Sequence, residues 1–193
     1  MSIDFKNFKW DFESEVQVSE KGLKIKALPN SDYFVDPAGS EPILNAPYYH
    51  IETDKDFVLK AKVSRSFRSV FDACVLMLMS DEKCWVKLCF ELTDLGNNAV
   101  VSVVTNDVSD DANGANIQGD TVYLQMAKKG NLFALHYSLD GKDFKMVRYF
   151  ALSIKDTFKL GFVAQSPTGD GGDCFFEDIE LRYDSLKDLR KGI

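Results

Sequence analysis

The chain has 193 residues and a formal charge of −7, with 45% hydrophobic and 27% charged residues. That length buries a core without help from metal or disulfides, and the composition excludes disorder. An acidic balance with no basic run argues against nucleic acid or an anionic membrane as partner.

The N-terminus, Met1-Ser2-Ile3-Asp4-Phe5-Lys6, lacks an apolar stretch of signal-peptide length. Nothing approaches the ~18 apolar residues of a membrane-spanning helix. The expectation is one cytoplasmic domain over residues 1–193, with four reduced cysteines: Cys74, Cys84, Cys89 and Cys174.

The first strong element in chain order is Phe57–Ser64, where Phe57, Leu59, Ala61 and Val63 alternate with Val58, Lys60, Lys62 and Ser64. A period of two predicts a strand with one face on a core. The apolar runs Val70–Met79 and Val100–Val104 predict strands covered on both faces. Thr121–Met126 alternates again. Glu20-Lys21-Gly22, Asp94-Leu95-Gly96-Asn97, Lys128-Lys129-Gly130-Asn131 and Asp140-Gly141 punctuate the runs with turn chemistry. So many strands joined by short turns predict an all-β, antiparallel sandwich or barrel. Asp107–Asp120 and Ser166–Asp173 read as long polar loops. Only the tail, Ser185–Lys191, carries a helical signal, a serine cap with Leu186 and Leu189 three apart.

Several ordered motifs then give the chain a resemblance: Ser31-Asp32-Tyr33-Phe34, Phe71–Met77, Trp85–Glu91, Val100–Thr105, Ser109-Asp110, Tyr137–Gly141 and Gly161–Pro167. From about Phe8 to Tyr183 the sequence resembles the domain-of-unknown-function 1349 family. That family falls within the concanavalin A-like lectin/glucanase superfamily and includes a yeast protein named for regulation of enolase. The resemblance implies a two-sheet jelly-roll sandwich with a concave sheet able to hold carbohydrate, and no established reaction. Catalytic laminarinase-type members carry Glu-x-Asp-x-x-Glu on one strand. This chain has no such motif, and Glu177-Asp178-Ile179-Glu180 has the wrong spacing.

The segment Cys84–Leu92 holds the most chemistry. On a strand, Trp85, Lys87, Cys89 and Glu91 share one face, and Val86, Leu88, Phe90 and Leu92 the other. An indole beside charged groups suits a sugar, whose C–H face packs on the ring while its hydroxyls bond to the charges. A turn at Ser80–Lys83 places Met79 opposite Cys84. Leu78 then faces Trp85, Leu76 faces Lys87, Cys74 faces Cys89 and Asp72 faces Glu91. Opposed carboxylates are destabilising unless compensated, which marks Asp72 and Glu91 as a candidate catalytic pair.

Three functions follow. A carbohydrate-binding or sugar-metabolism accessory domain would use Asp32, Tyr33, Trp85, Lys87, Glu91, Asp110, Gln165 and Ser166. A glycoside-active enzyme would use Asp72 and Glu91, since opposed carboxyls can lie near the ~5–5.5 Å of retaining glycosidases. A regulatory or homo-oligomeric protein would need no small ligand. His50 and His136 stand alone, so no zinc or iron site is implied. Asp110, Asp111 and Asn113 could offer oxygens to calcium, though without EF-hand spacing they read as solvated. No cofactor motif is present, neither GxSxG, Walker loop nor GxGxxG.

Overall fold

A computed structural model describes residues 3–193. A single 3-10 turn, Phe5–Asn7, is capped by Asp4, whose carboxylate accepts from the Lys6 amide at 3.1 Å. The strands in chain order begin with β1 (Lys9–Asp11), β2 (Val16–Ser19), β3 (Gly22–Ala27), β4 (Tyr33–Phe34), β5 (Ile43–Leu44) and β6 (Tyr48–Thr53). There follow β7 (Phe57–Ser64), β8 (Ala73–Asp81), β9 (Cys84–Leu92), β10 (Asn98–Asn106) and β11 (Val108–Asn116). The last are β12 (Thr121–Lys129), β13 (Leu132–Ser138), β14 (Lys145–Ala151), β15 (Phe158–Gln165) and β16 (Gly172–Arg182).

These strands form two seven-stranded antiparallel sheets, ordered β1-β6-β15-β8-β9-β10-β11 and β14-β13-β12-β7-β16-β3-β2, plus the small ribbon β4-β5. The inner faces meet in one core. Phe57, Leu59, Ala61 and Val63 of β7 enter it from the second sheet, and Leu76, Leu78, Leu88 and Phe90 from the first. Alternation on β7 therefore does what its period of two requires. The Lys128–Asn131 turn closes the β12–β13 hairpin with Gly130 at φ 57°, the left-handed conformation that glycine tolerates. No helix among the described residues is long and apolar enough to cross a membrane.

Three expectations are corrected. Asp107–Asp120 is not a loop: Asp107, at φ 65°, turns the chain tightly, and β11 pairs back along β10 from Asn106↔Val108 onward. Polar residues suit this position because β11 is an edge strand with mostly exposed side chains. The tail Ser185–Lys191 contains no helix among the described residues. A seven-residue helix has few bonds to offset its nucleation cost, and the Asp188 carboxylate instead accepts from the amides of Arg190 and Lys191, both at 3.0 Å. Leu186 and Leu189 pack irregularly onto Val58, Ala127 and Ala134, covering part of the second sheet's outer face.

The third correction is the β8–β9 register. The hairpin closes on two residues, Glu82-Lys83, with Asp81 opposite Cys84, and the Asp81 carboxylate accepts from the Lys83 amide at 2.9 Å. Ser80 is bulged out of the ladder, its hydroxyl accepting from the Lys155 amide at 2.8 Å. The register is thereby one residue off the expected one: Met79 faces Trp85, Met77 faces Lys87, Val75 faces Cys89 and Ala73 faces Glu91. A slip of one residue sends every side chain to the other face. Cys74 and Cys89 consequently lie on opposite faces of the sheet, and all four cysteines are free. Asp72 leaves Glu91 and turns into the sandwich.

There Asp72 forms a buried ion pair with Arg65, at 3.0 Å. Its carboxylate also accepts from the Ser166 hydroxyl at 2.6 Å and from the amides of Arg68 and Ser69 at 3.1 and 3.2 Å. Arg65 donates further to the carbonyls of Gln165 and Gly171 at 2.7 and 3.1 Å. Gly171 can present that carbonyl only as glycine: its φ is 92°, and a Cβ would meet the Ala27 carbonyl oxygen at 2.3 Å.

Removing one partner of a buried pair leaves the other charge uncompensated, so Asp72→Ala should cost about 3–5 kcal/mol. Asp110→Ala breaks an exposed pair with Arg148 and should cost at most about 1 kcal/mol. Urea unfolding of the two variants side by side measures this, and equal losses would contradict the buried role of Asp72.

Candidate functional site

The outer face of the first sheet is built row by row. One row crosses the strands as Gln165, Ala73, Glu91 and Ala99; the next runs Val163, Val75, Cys89, Val101 and Asn113, and the one after it Gly161, Met77, Lys87, Val103 and Asp111. Alanines flank Glu91 on both neighbouring strands, so the sheet is locally shallow around its carboxyl.

Over this face lies a strap, residues 30–47, carrying β4 and β5. Ser31 bridges to Ser166 by backbone bonds in both directions, at 3.2 and 3.1 Å. The Ser109 amide donates to the Val35 carbonyl at 2.9 Å, and the Val35 amide to the Ser109 hydroxyl at 2.9 Å. The strap's Asp32 receives the Lys87 ammonium at 3.0 Å. Tyr33 sits edge-on to Tyr48 and Trp85, with ring centroids 6.1 and 6.3 Å apart.

Where the strap ends over the shallow region, a cavity of about 120 Å³ remains, lined by Asp32, Phe34, Phe71, Lys87, Glu91, Val101, Val103, Asp111 and Gln165. The structure thus gathers Asp32, Lys87, Glu91 and Gln165, as the sequence suggests. Tyr33 of the strap and Trp85 beneath it are buried, at 1% and 0% exposure, which removes Trp85 as an open stacking platform. Neither the Trp85 indole nitrogen nor the Tyr33 hydroxyl has a hydrogen-bond partner. Ser166 and Asp72 belong to the Arg65 junction inside the sandwich. Asp110 points away from the cavity to Arg148 on β14, at 2.9 Å. Adjacent residues on a strand face opposite ways, so Asp110 and Asp111 do not converge on one cation.

The missed residues are Asp111, Phe34 and Phe71. Strand alternation would have exchanged Asp110 for Asp111 had β11 been recognised. Phe34 and Phe71 stand in family-like motifs, but no periodicity in their short segments aims either ring at this face. Phe71 lies at φ 68°, a strained conformation for a bulky residue, with its amide donating to the Leu92 carbonyl at 2.7 Å.

Electrostatics distinguish Lys87 from Glu91 on β9. Burial works against the charge of Lys87, but Asp32, Cys89 and Glu91 outweigh it and hold its affinity for a proton above the ordinary value. Its ammonium is bonded to Asp32 and, at 3.2 Å, to the Gln165 side-chain oxygen. For Glu91, burial pushes the pKa up to about 8; Lys87 opposes this, while Asp32, Asp111 and Asp94 add to it. Glu91 is 7% exposed and has no hydrogen-bond partner among the described residues. At neutral pH the cavity therefore holds a protonated carboxyl able both to donate and to accept.

A family model described as "Protein of unknown function (DUF1349)" matches residues 10–183. The sequence is 26% identical over 134 residues to "Regulation of enolase protein 1" of Saccharomyces cerevisiae, covering 68% of this chain and 66% of that protein's length. A crystal structure of a functionally unknown protein from Saccharomyces cerevisiae superposes with a TM-score of 0.85 at 21% identity, covering 94% of this chain and 99% of that one. The carbohydrate-binding module CBM66 from Bacillus subtilis superposes at 0.59 and 12% identity over 91% and 94% of the two chains. The GH43 BlXynB protein from Bacillus licheniformis gives 0.70 at 12% identity, covering 95% of this chain but 40% of that one. At these identities the structures share a fold.

The raised Glu91 value has a sign that can be measured. Between the ordinary 4.5 and about 8, the folded protein holds a proton at Glu91 that the unfolded chain releases. The wild type accordingly loses stability as pH rises through that window. Glu91→Gln lacks this titration, so its stability relative to wild type should climb by about 1.4 kcal/mol per pH unit across the window and level off above it. Urea unfolding from pH 4 to 9 reads this directly, and a flat difference would place Glu91 in water.

Proposed function

The chain belongs to the DUF1349 family, and from that premise we propose that the strap-covered cavity binds a small polar ligand of the sugar class. The observation carrying this reading is Glu91, a carboxyl only 7% exposed that lines the cavity and is held above its ordinary pKa by burial. Around it stand the elements sugar recognition uses: charged and amide groups for hydroxyls, Asp32, Lys87, Asp111 and Gln165, and the aromatic walls Phe34 and Phe71. Similarity to the fold of a carbohydrate-binding module and of GH43 proteins supports a sugar-related role at the same coarse level.

The cavity is smaller than the ~300–1,000 Å³ that encloses a drug-sized molecule, so it accepts one ring edge or a head group, not an oligosaccharide chain. Asp72 is withdrawn from any acid–base pair with Glu91, because it lies on the other side of the sheet. The two carboxyls cannot act on one glycosidic bond.

A thermal-shift and titration panel of monosaccharides tests the reading. A ligand at 100 times its Kd stabilises the native state by about 2.7 kcal/mol. Phe71→Ala, Asp111→Asn and Gln165→Ala should each weaken binding by about 1–3 kcal/mol with the fold retained. Trp85→Ala should instead destabilise the fold by about 3–5 kcal/mol, as a buried aromatic does. Binding that ignores all three cavity substitutions would remove the cavity as the site.

A further inference from the structure

The cavity has a charge imbalance that bears on what can enter it. Three carboxyl groups line it, Asp32, Glu91 and Asp111, against the single ammonium of Lys87; no arginine or histidine contributes. Lys87 is already satisfied by Asp32 and Gln165. Glu91 is more than nine-tenths buried, lines the cavity and has no partner among the described residues. The groups facing it are all accounted for: Lys87 and Cys89 on its own strand, Asp32 on the strap, Asp111 on β11 and Asp94 in the β9–β10 turn, with only Ala73 on β8 and Gln165 on β15. The remaining walls are Phe34, Phe71, Val101 and Val103.

A phosphate or carboxylate entering here would meet excess negative charge and no free cation. A neutral hydroxyl would be satisfied by Glu91 in its protonated form and would leave Asp111 unused. A protonated primary amine fits the whole lining, since its three N–H donors match two carboxylates and its charge is favoured beside aromatic faces. We propose that the ligand carries a primary ammonium group, an amino sugar, seated between Glu91 and Asp111 and against Phe34 and Phe71.

This rests on the sugar-class reading above and narrows it. Because Glu91 has its pKa pushed up to about 8, an incoming ammonium at neutral pH drives off its proton. Binding of a fixed cation should therefore release a proton and strengthen as pH rises from 6 to 9.

The test is a two-dimensional NMR titration of isotope-labelled protein with glucose, glucosamine and methylamine at pH 7. Methylamine is then repeated from pH 6 to 9, since its amine, like that of lysine, stays protonated there. The expectation is that glucosamine binds at least about tenfold tighter than glucose, one charge-assisted bond being worth that or more. Methylamine should perturb the same amides around Glu91 and tighten with pH. Glu91→Gln should abolish that pH dependence. Asp111→Asn, on an exposed edge position that leaves the fold undisturbed, should weaken both amines by a larger factor than it weakens glucose. Glucose binding as well as glucosamine, with methylamine silent, overturns the ammonium inference and leaves the sugar reading standing. Methylamine binding while neither sugar binds overturns the sugar reading alone, and silence from all three overturns both.

Discussion

Arg65 leaves the end of β7 in one sheet and meets Asp72, at the start of β8 in the other, in a pair closed to water on both sides. The same guanidinium holds the carbonyls that end β15 and precede β16, while Asp72 holds the Ser166 hydroxyl and two amides of the β7–β8 connection. A charge pair in this position costs desolvation and offsets it only through such additional hydrogen bonds, which here leave just the Arg65 Nε of the guanidinium without a partner. Its effect is positional. It aligns the ends of four strands, two from each sheet, and Gln165 leaves that junction with its side chain directed to the outer face. The cavity floor is therefore registered to the sandwich interior through one residue on each of two strands.

The strap gives the outer face of the first sheet a second, local core. Tyr33, Tyr48, Trp85, Met77, Met79 and Val163 pack there away from the main core. A sheet face so rich in apolar residues would otherwise be open to water over its whole width. Where alanines on β8 and β10 replace larger side chains the covering leaves a gap, and that gap coincides with the one carboxyl on β9. The cavity is the difference between a strap of fixed length and a sheet surface of varied height.

Strand-level reasoning reads the architecture well because it needs only the period of two and the turn residues, both plain in Phe57–Ser64 and in Lys128–Asn131. It fails at Ser80 for a physical reason: whether a hairpin closes on four residues or on two plus a bulge depends on the Ser80 hydroxyl finding the Lys155 amide, a contact 75 residues away. That one slip moves Asp72 from the candidate site to the interior. Asp32, Lys87, Glu91 and Gln165 come together regardless of that slip, since Lys87 and Glu91 share the odd-numbered face of β9 and Asp32 and Gln165 lie in the family-like motifs. Trp85 shows the opposite limit. Its face is legible, but the strap that covers it comes from residues 30–47, whose short, irregular strands have no period to recognise. Asp111 was hidden because polar and small residues look alike in a loop and on an edge.

Strand β11 closes one end of its sheet, and its free backbone edge is the kind of surface onto which another chain can add a strand. Asp110, Asp111 and Asn113 line this strand, and Asp110 is tied by Arg148 to β14, the terminal strand of the facing sheet. An added strand would have to bury carboxylates and break that tie between the two sheets. The acidity that shapes the cavity mouth at Asp111 thus belongs to the same few residues that guard the sandwich against polymerising edge to edge. Substitutions that make the cavity less acidic would draw on the chain's resistance to aggregation.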